Sequence, residues 1–386
     1  RSPQEVREFL EQLARHCVPV ARRELEELEQ FAGMKLEAWD VAYWSEQLQR
    51  ERYRISDEEL RPYFALPRVL QGMFEVASRL YGLRFSERGD AQTWHPDARF
   101  FDLTDASGQR IGGFYLDPYA RAHKRSGAWM DECVGRLQLG SEHELPVAYL
   151  VCNFLPAVGE GPALLTHDEV VTLFHEFGHG LHHLLTRARY PSVAGINGVP
   201  WDAVELPSQF MENYAWSEEV LPRISAHVTT GAPLPQDMVR RLKGSRIFQA
   251  GMRAVRQLEF ALFDLRLHSE YSPAHGSRLH EILADVRAGV AVVRHPEFNR
   301  FAHSFGHIFA GGYAAGYYSY KWAEVLAADA FAAFEEAGVF DPVTARRFVD
   351  AILSRGGSRD ALEAFVEFRG RKPDIQPLLR QFGMAA

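Results

Sequence analysis

The hydrophobic pattern of this chain changes period between about residues 84 and 154, and that switch limits the folds open to it. Upstream, apolar residues recur at helical spacing, as in Val6, Phe9, Leu10, Leu13 and Cys17. Ser2-Pro3-Gln4-Glu5 opens that helix: Ser2 can cap it, Pro3 suits its first turn, and Glu5 completes a capping box. Pro19 is expected to break or kink it. More helix is expected over 39–52 and 66–80. Inside the switched segment, residues 98–103 and 110–116 alternate or are aromatic-rich, with Asp105-Ala106-Ser107-Gly108 between them, which is a hairpin pattern. Residues 147–154 (VAYLVCNF) read as a buried strand. After Thr166 the helical period returns, and Ser358 is placed to cap a helix ending at Gly370, with Pro373 beyond it. The expectation is one mainly α unit with a small antiparallel β-sheet: helices over 1–83, the sheet over about 84–154, helices over 155–386.

Composition narrows the function classes. Of 386 residues, 46% are hydrophobic and 24% charged, ample for a large core. Formal charge is 43 − 51 = −8, with no long basic stretch, so nucleic acid is not an expected partner. No run of 18 apolar residues suggests a membrane span. Cys17, Cys133 and Cys152 are widely spaced without a Cys-x-x-Cys pair, which predicts free buried thiols and a cytoplasmic location.

The chemistry is concentrated at His175-Glu176-Phe177-Gly178-His179. Histidines at i and i+4 share one helix face and can bind one ion together, while the glutamate after the first is placed to move a proton. A catalytic Zn²⁺ takes three protein ligands and keeps one position open. Thr166 and Glu169 form a capping box, so the helix starts about nine residues before His175 and both rings sit well inside it. His182 and His183 are expected to point away and to pack. A third ligand is available at Glu205, with Glu212 or Asp202 as acceptor from a histidine N–H. Spacing alone leaves open that Glu205 is an ordinary exposed carboxylate. Further on, Gly306-His307-Ile308-Phe309-Ala310-Gly311-Gly312-Tyr313 has too many glycines for a comfortable helix and reads as a flexible loop. His307 and Tyr320 are suited to donate hydrogen bonds to an oxyanion, and Tyr313 to share that role or touch substrate. Tyr317 and Tyr318 read as core aromatics. His303 and His307 also lie at i and i+4, but with no carboxylate near them in sequence a second metal is not expected. The strand at 112–116 is expected to offer its edge to an extended peptide.

HEFGHGLHHLL followed by VELPSQFMENYAW resembles the thimet oligopeptidase family of zinc metallopeptidases. The resemblance extends through Trp94-His95-Pro96-Asp97, residues 112–130 and residues 306–331. The tail over 352–379 is most similar to its oligopeptidase A branch. It implies a zincin-like helical catalytic lobe and one Zn²⁺ per chain held by His175, His179 and Glu205. It implies Glu176 as general base, His307, Tyr313 and Tyr320 as further catalytic residues, and short peptides as substrates of a monomer. The family's N-terminal helical portion, which walls one side of a substrate channel, is expected to be absent from these residues. The implied activity is internal cleavage of short peptides. The alternatives are removal of C-terminal dipeptides, as in the family's dipeptidyl carboxypeptidases, or a truncated helical lobe without catalysis.

Overall fold

The computed structural model describes residues 2–384. Helices of nine or more residues are α1 (Pro3–Ala32), α2 (Val41–Tyr53), α3 (Leu66–Tyr81), α4 (His167–Leu184), α5 (Leu206–Ala215), α6 (Gln236–Ser245), α7 (Ala250–Ser269), α8 (Leu279–Val290), α9 (Ser319–Ala337) and α10 (Ala361–Arg369). The strands are β1 (Arg84–Glu87), β2 (Arg99–Thr104), β3 (Arg110–Tyr119), β4 (Trp129–Val134), β5 (Leu137–Leu139), β6 (Glu142–Glu144) and β7 (Val147–Phe154). Where the sequence suggested one unit, the chain divides into two: Arg1–Ile55 with Arg240–Val325 and Ile375–Ala386, and Ser56–Val239 with Leu326–Asp374.

The first unit is built on α1 and α7. The Ser2/Glu5 capping box starts α1, and Gly33, in the left-handed region at φ 71°, ends it. Between them the helix runs through Pro19 rather than ending there. Proline removes one helix hydrogen bond and crowds the preceding turn, at about 3 kcal/mol, so tertiary packing must hold the helix together. Val6, Leu10, Leu13, Cys17 and Ala21 are all buried. Gly251 of α7 approaches so closely that a Cβ there would lie 2.7 Å from the Ala21 nitrogen. One turn on, the Glu24 carboxylate accepts the N–H groups of Gly251 and Met252 at 3.1 and 2.7 Å, which serves the open N-terminus of α7.

The second unit holds the sheet, in the order β1-β2-β3-β7-β4. The 98–116 hairpin forms as expected, with Phe101 opposite Phe114. The sheet is mixed rather than wholly antiparallel: β7 runs parallel to β3, with Tyr115 opposite Tyr149, and antiparallel to β4. The chain reaches the far edge as β4 and returns between β4 and β3, so β7 is a central strand, with Ala148, Leu150, Cys152 and Phe154 buried on one face and Val147, Tyr149 and Asn153 half-buried on the other. Helices α3 and α4 cover the sheet. Phe74 of α3 stacks on Phe85 at 4.5 Å, and Phe177 of α4 meets Phe74, Phe85 and Phe114 at centroid distances of 5.8 to 6.2 Å. Helix α10 ends at Gly370 as expected, but its cap is Asp360, whose Oδ1 accepts the Glu363 N–H at 2.9 Å. Ser358 lies in the preceding 3₁₀ turn.

Candidate metal centre

Helix α4 begins where the capping box placed it. Thr166 Oγ1 accepts the Glu169 N–H at 3.1 Å, and the Thr166 N–H reaches Glu169 Oε2 at 2.8 Å. Its apolar stripe (Val170, Leu173, Phe174, Phe177, Leu181) is buried against the sheet, so the helix cannot roll about its axis. The opposite side presents His175 and His179, their ring centroids 4.9 Å apart.

Glu205 sits at the joint between a single helical turn, Trp201–Val204, and α5. Its Oε2 lies 3.2 Å from His175 Nε2 and 3.1 Å from His179 Nε2. One donor atom from each of the three residues falls within 4.8 Å of the others, and among the described residues no other such group of three or more forms. The carboxylate is steadied by Ser208, whose hydroxyl lies 3.1 Å from Oε2 and 2.9 Å from the Glu205 carbonyl. His175 Nδ1 is 2.7 Å from Glu212 Oε1, one helical turn beyond Ser208. A carboxylate only accepts, so Nδ1 carries a proton toward Glu212, and a metal held with Glu205 and His179 would be met by the Nε2 lone pair. Of the two acceptors proposed for this role, Glu212 takes it at His175.

One residue that the sequence reading passed over makes this approach possible. A Cβ on Gly178 would lie 2.4 Å from the Pro207 carbonyl oxygen and 2.6 Å from Ser208 Cα. With hydrogen there instead, the backbones of α4 and α5 pack in direct contact and Glu205 comes within reach of the histidines. A glycine inside a helix, flanked by the histidine pair and costing about 1 kcal/mol against alanine, was the available signal.

The electrostatics favour a cation. Burial opposes charge on His175, yet hydrogen bonds to Glu205 and Glu212 hold its ring well above the ordinary histidine range. Burial would raise Glu205, but the adjacent His179 and His175 hold it well below the carboxylate range. Two rings and a carboxylate whose donor atoms converge in this way can share a divalent metal, and the nitrogen–oxygen donor set suits zinc. Glu176 is 5% exposed, burial pushes its carboxyl up, and its Oε2 has no hydrogen-bond partner among the described residues. An unpartnered buried carboxylate beside two imidazoles is free to take and return a proton. His182 and His183 are buried packing residues, as expected. Burial pushes His182 down to about 3, and His183 Nε2 hydrogen-bonds the Val134 carbonyl at 3.0 Å.

His307, Tyr313 and Tyr320 belong to the first unit. The glycine-rich stretch is less loop-like than expected: Gly306–Phe309 makes one helical turn, and bends follow to Tyr317. The His307 ring lies 6.2 Å from Tyr313 and 6.4 Å from Tyr320, and these two tyrosines stack at 4.9 Å. Tyr317 is buried and donates its hydroxyl to Gln257 at 3.0 Å, the core role expected of it. The strand at 112–116 cannot take an added peptide strand, because β2 and β7 occupy its two edges. The sheet edge next to α4 is β4, hydrogen-bonded to β7 alone.

The sequence profile of peptidase family M3 matches residues 1–384. The chain belongs to that family. Oligopeptidase A of Escherichia coli (strain K12) is 52% identical over 389 residues, covering 99% of this chain and 57% of the relative. Dipeptidyl carboxypeptidase of the same strain is 39% identical over 383 residues, covering 96% and 56%. This M3 chain thus spans little more than half the length of the curated relatives it matches. Among solved structures, PZ peptidase A with inhibitor 2 superposes with a TM-score of 0.59 at 14% identity, over 98% of this chain and 57% of that one, a likeness of fold.

Proposed function

We propose that this chain carries the catalytic centre of a zinc-dependent oligopeptidase that cuts internal bonds of short peptides. The observation that supports it most is the convergence of His175, His179 and Glu205 beside the unpartnered carboxylate of Glu176. His175, His179 and Glu205 would hold the metal, with Glu212 fixing the His175 tautomer. Zinc, when bound, supplies a Lewis acid that polarises a scissile carbonyl and activates water for attack. Glu176 accepts the proton of the attacking water and returns it to the departing amine, and its burial, which pushes the carboxyl up, makes it a stronger base than an exposed glutamate. His307 and Tyr320 are proposed as hydrogen-bond donors to the developing oxyanion, and Tyr313 as their partner in the same cluster. The open edge of β4 is proposed to hold an extended peptide by backbone hydrogen bonds. The three free thiols agree with a reducing, cytoplasmic setting.

The test is metal analysis together with a peptide cleavage assay on the 386-residue chain and on Glu176→Gln. Wild type is expected to hold one zinc and to cleave. The variant is expected to hold zinc and to lose about a hundredfold or more of the rate. Wild type that binds no zinc after careful purification overturns the reading. The more distant likeness to a dipeptidyl carboxypeptidase gives a second reading, removal of C-terminal dipeptides. A peptide with a free C-terminus and its amidated twin separate the two, since only an endopeptidase treats them alike.

A further inference from the structure

One face of α7 holds the segment that carries the aromatic cluster. Asp264 is 1% exposed. Its Oδ1 accepts the backbone N–H of Ala315 at 2.9 Å, and its Oδ2 accepts that of Tyr317 at 2.9 Å. His268, one turn further along the helix, brings Nδ1 to 2.9 Å from Oδ1. Gln257, about two turns before Asp264, takes the Tyr317 hydroxyl, and Phe260 meets the Tyr317 ring edge-on at 5.8 Å. Residues 257, 260, 264 and 268 recur at helical spacing, so they form a continuous strip on one face.

The segment held in this way is not one the chain adopts unaided. Ala315 has φ 57°, a left-handed conformation that is strained for a residue with a Cβ. Such a conformation persists only where the surroundings over-determine it, and here they do so through the two amides on either side of Gly316. Burial pushes the Asp264 carboxyl up, while the two amide hydrogen bonds oppose that shift. The fixed turn leads into the side chains assigned to the oxyanion: the Tyr317 ring lies 5.7 Å from His307 and 5.2 Å from Tyr320.

We propose that Asp264 is a positioning residue, which latches the Tyr313–Tyr317 turn so that His307, Tyr313 and Tyr320 form one preset cluster before substrate arrives. The proposal rests on the reading that these three act on substrate, and it adds what holds them. Donors aimed at charge that develops only in the transition state act on kcat more than on KM. A donor displaced by about 1 Å loses up to about a hundredfold in rate. Loss of the latch therefore differs from general damage to the fold.

The experiment uses the zinc-loaded 386-residue chain. Amide hydrogen exchange is read at residues 315 and 317, and kcat and KM are measured for wild type and Asp264→Asn. Asparagine has the same shape but only one acceptor oxygen, so one of the two amides must lose its partner. The expected result is strong protection of both amides in wild type. In the variant at least one should exchange about tenfold faster, kcat should fall about tenfold to a hundredfold, KM should stay within about twofold, and zinc content should be unchanged. Tyr317→Phe, which loses only the bond to Gln257, is expected to move exchange and kcat in the same direction by a few fold, and it serves if Asp264→Asn does not fold. Unprotected amides in folded wild type overturn the latch. Faster exchange with unchanged kcat overturns its link to catalysis. Wild type that binds zinc but cleaves nothing defeats the functional reading instead, and the exchange data still decide the latch.

Discussion

Gly178→Ala places one methyl group where α4 and α5 touch. Its Cβ would stand 2.4 Å from the Pro207 carbonyl oxygen, 2.6 Å from Ser208 Cα and 2.9 Å from the Pro207 carbonyl carbon. These are backbone atoms and no rotamer change relieves them. Restoring a separation of about 3.5 Å moves α5 away from α4 by about 1 Å. Overpacking of this kind costs about 1–3 kcal/mol, and the better helix propensity of alanine returns about 1 kcal/mol, so the net loss of stability is modest, about 1 kcal/mol. The effect on the metal is larger in proportion. Glu205 is two residues before Pro207, and its Oε2 travels with that backbone while His175 and His179 stay on α4. Metal–ligand distances tolerate about 0.2 Å, so the carboxylate is lost as an effective ligand. Zinc affinity, measured by competition against a coloured chelator, should fall by at least a hundredfold, while urea unfolding of the metal-free protein changes little. Gly180→Ala is the control: its Cβ would meet only the side chain of Leu150, at 3.0 Å from Cδ2, which can turn aside. Gly178→Ala protein that binds zinc as tightly as wild type would show that the close approach of the two helices does not set the site.

Glu212→Gln removes the charged acceptor from His175 Nδ1, and zinc affinity in the same chelator assay should drop about 10–100-fold; no change would mean that Glu212 does not orient the ring. Asp117 is 2% exposed, and burial would raise its carboxyl, but Arg121, Lys124 and Trp94 outweigh that and hold it at about 2. A carboxyl lowered in the folded state stabilises the protein fully above the ordinary carboxylate value, about 3.9, and that contribution disappears as pH falls toward 2; it is worth about 2 kcal/mol. Burial pushes the partner Lys124 below the ordinary lysine range, so the prediction uses only this acid limb. Urea midpoints between pH 5 and pH 2.5 should lose most of that increment in wild type and not in Asp117→Asn; parallel curves would refute the assignment. Pro19→Ala restores a hydrogen bond inside α1 and should stabilise the first unit by about 1–3 kcal/mol, less about 0.4–1 for the freer unfolded chain; an unchanged or lower thermal midpoint contradicts the view that α1 is continuous only because α7 holds it.

What could be read from the sequence was local. The capping boxes at Ser2 and Thr166, the glycine stop at Gly370 and the hairpin around Asp105–Gly108 depend on residues three or four apart, and each forms. His175 and His179 could be paired because a helix fixes the i, i+4 relation by itself. Errors arose where distant segments decide the outcome. Pro19 reads as a break until the Gly251 backbone is laid against Ala21. The antiparallel expectation failed at β7 because strand order depends on where the chain returns, not on alternation within the strand. The 112–116 strand looked available only while its neighbours were unknown. Gly178 and Asp264 went unread for one reason: the role of each is set by a backbone that is remote in sequence.

Lys124 is buried at the end of the central strands, its ammonium donating to the carbonyls of Asp117, Tyr119 and Cys152 at 2.6 to 3.0 Å and to Asp117 Oδ1 at 2.9 Å. The chain has only five lysines, Lys35, Lys124, Lys243, Lys321 and Lys372. An amine with every proton engaged cannot attack an acylating reagent until its strands part. The rate at which Lys124 takes up such a label, read by mass spectrometry against exposed Lys35, therefore times the breathing of the sheet beneath the histidine helix with no mutation at all.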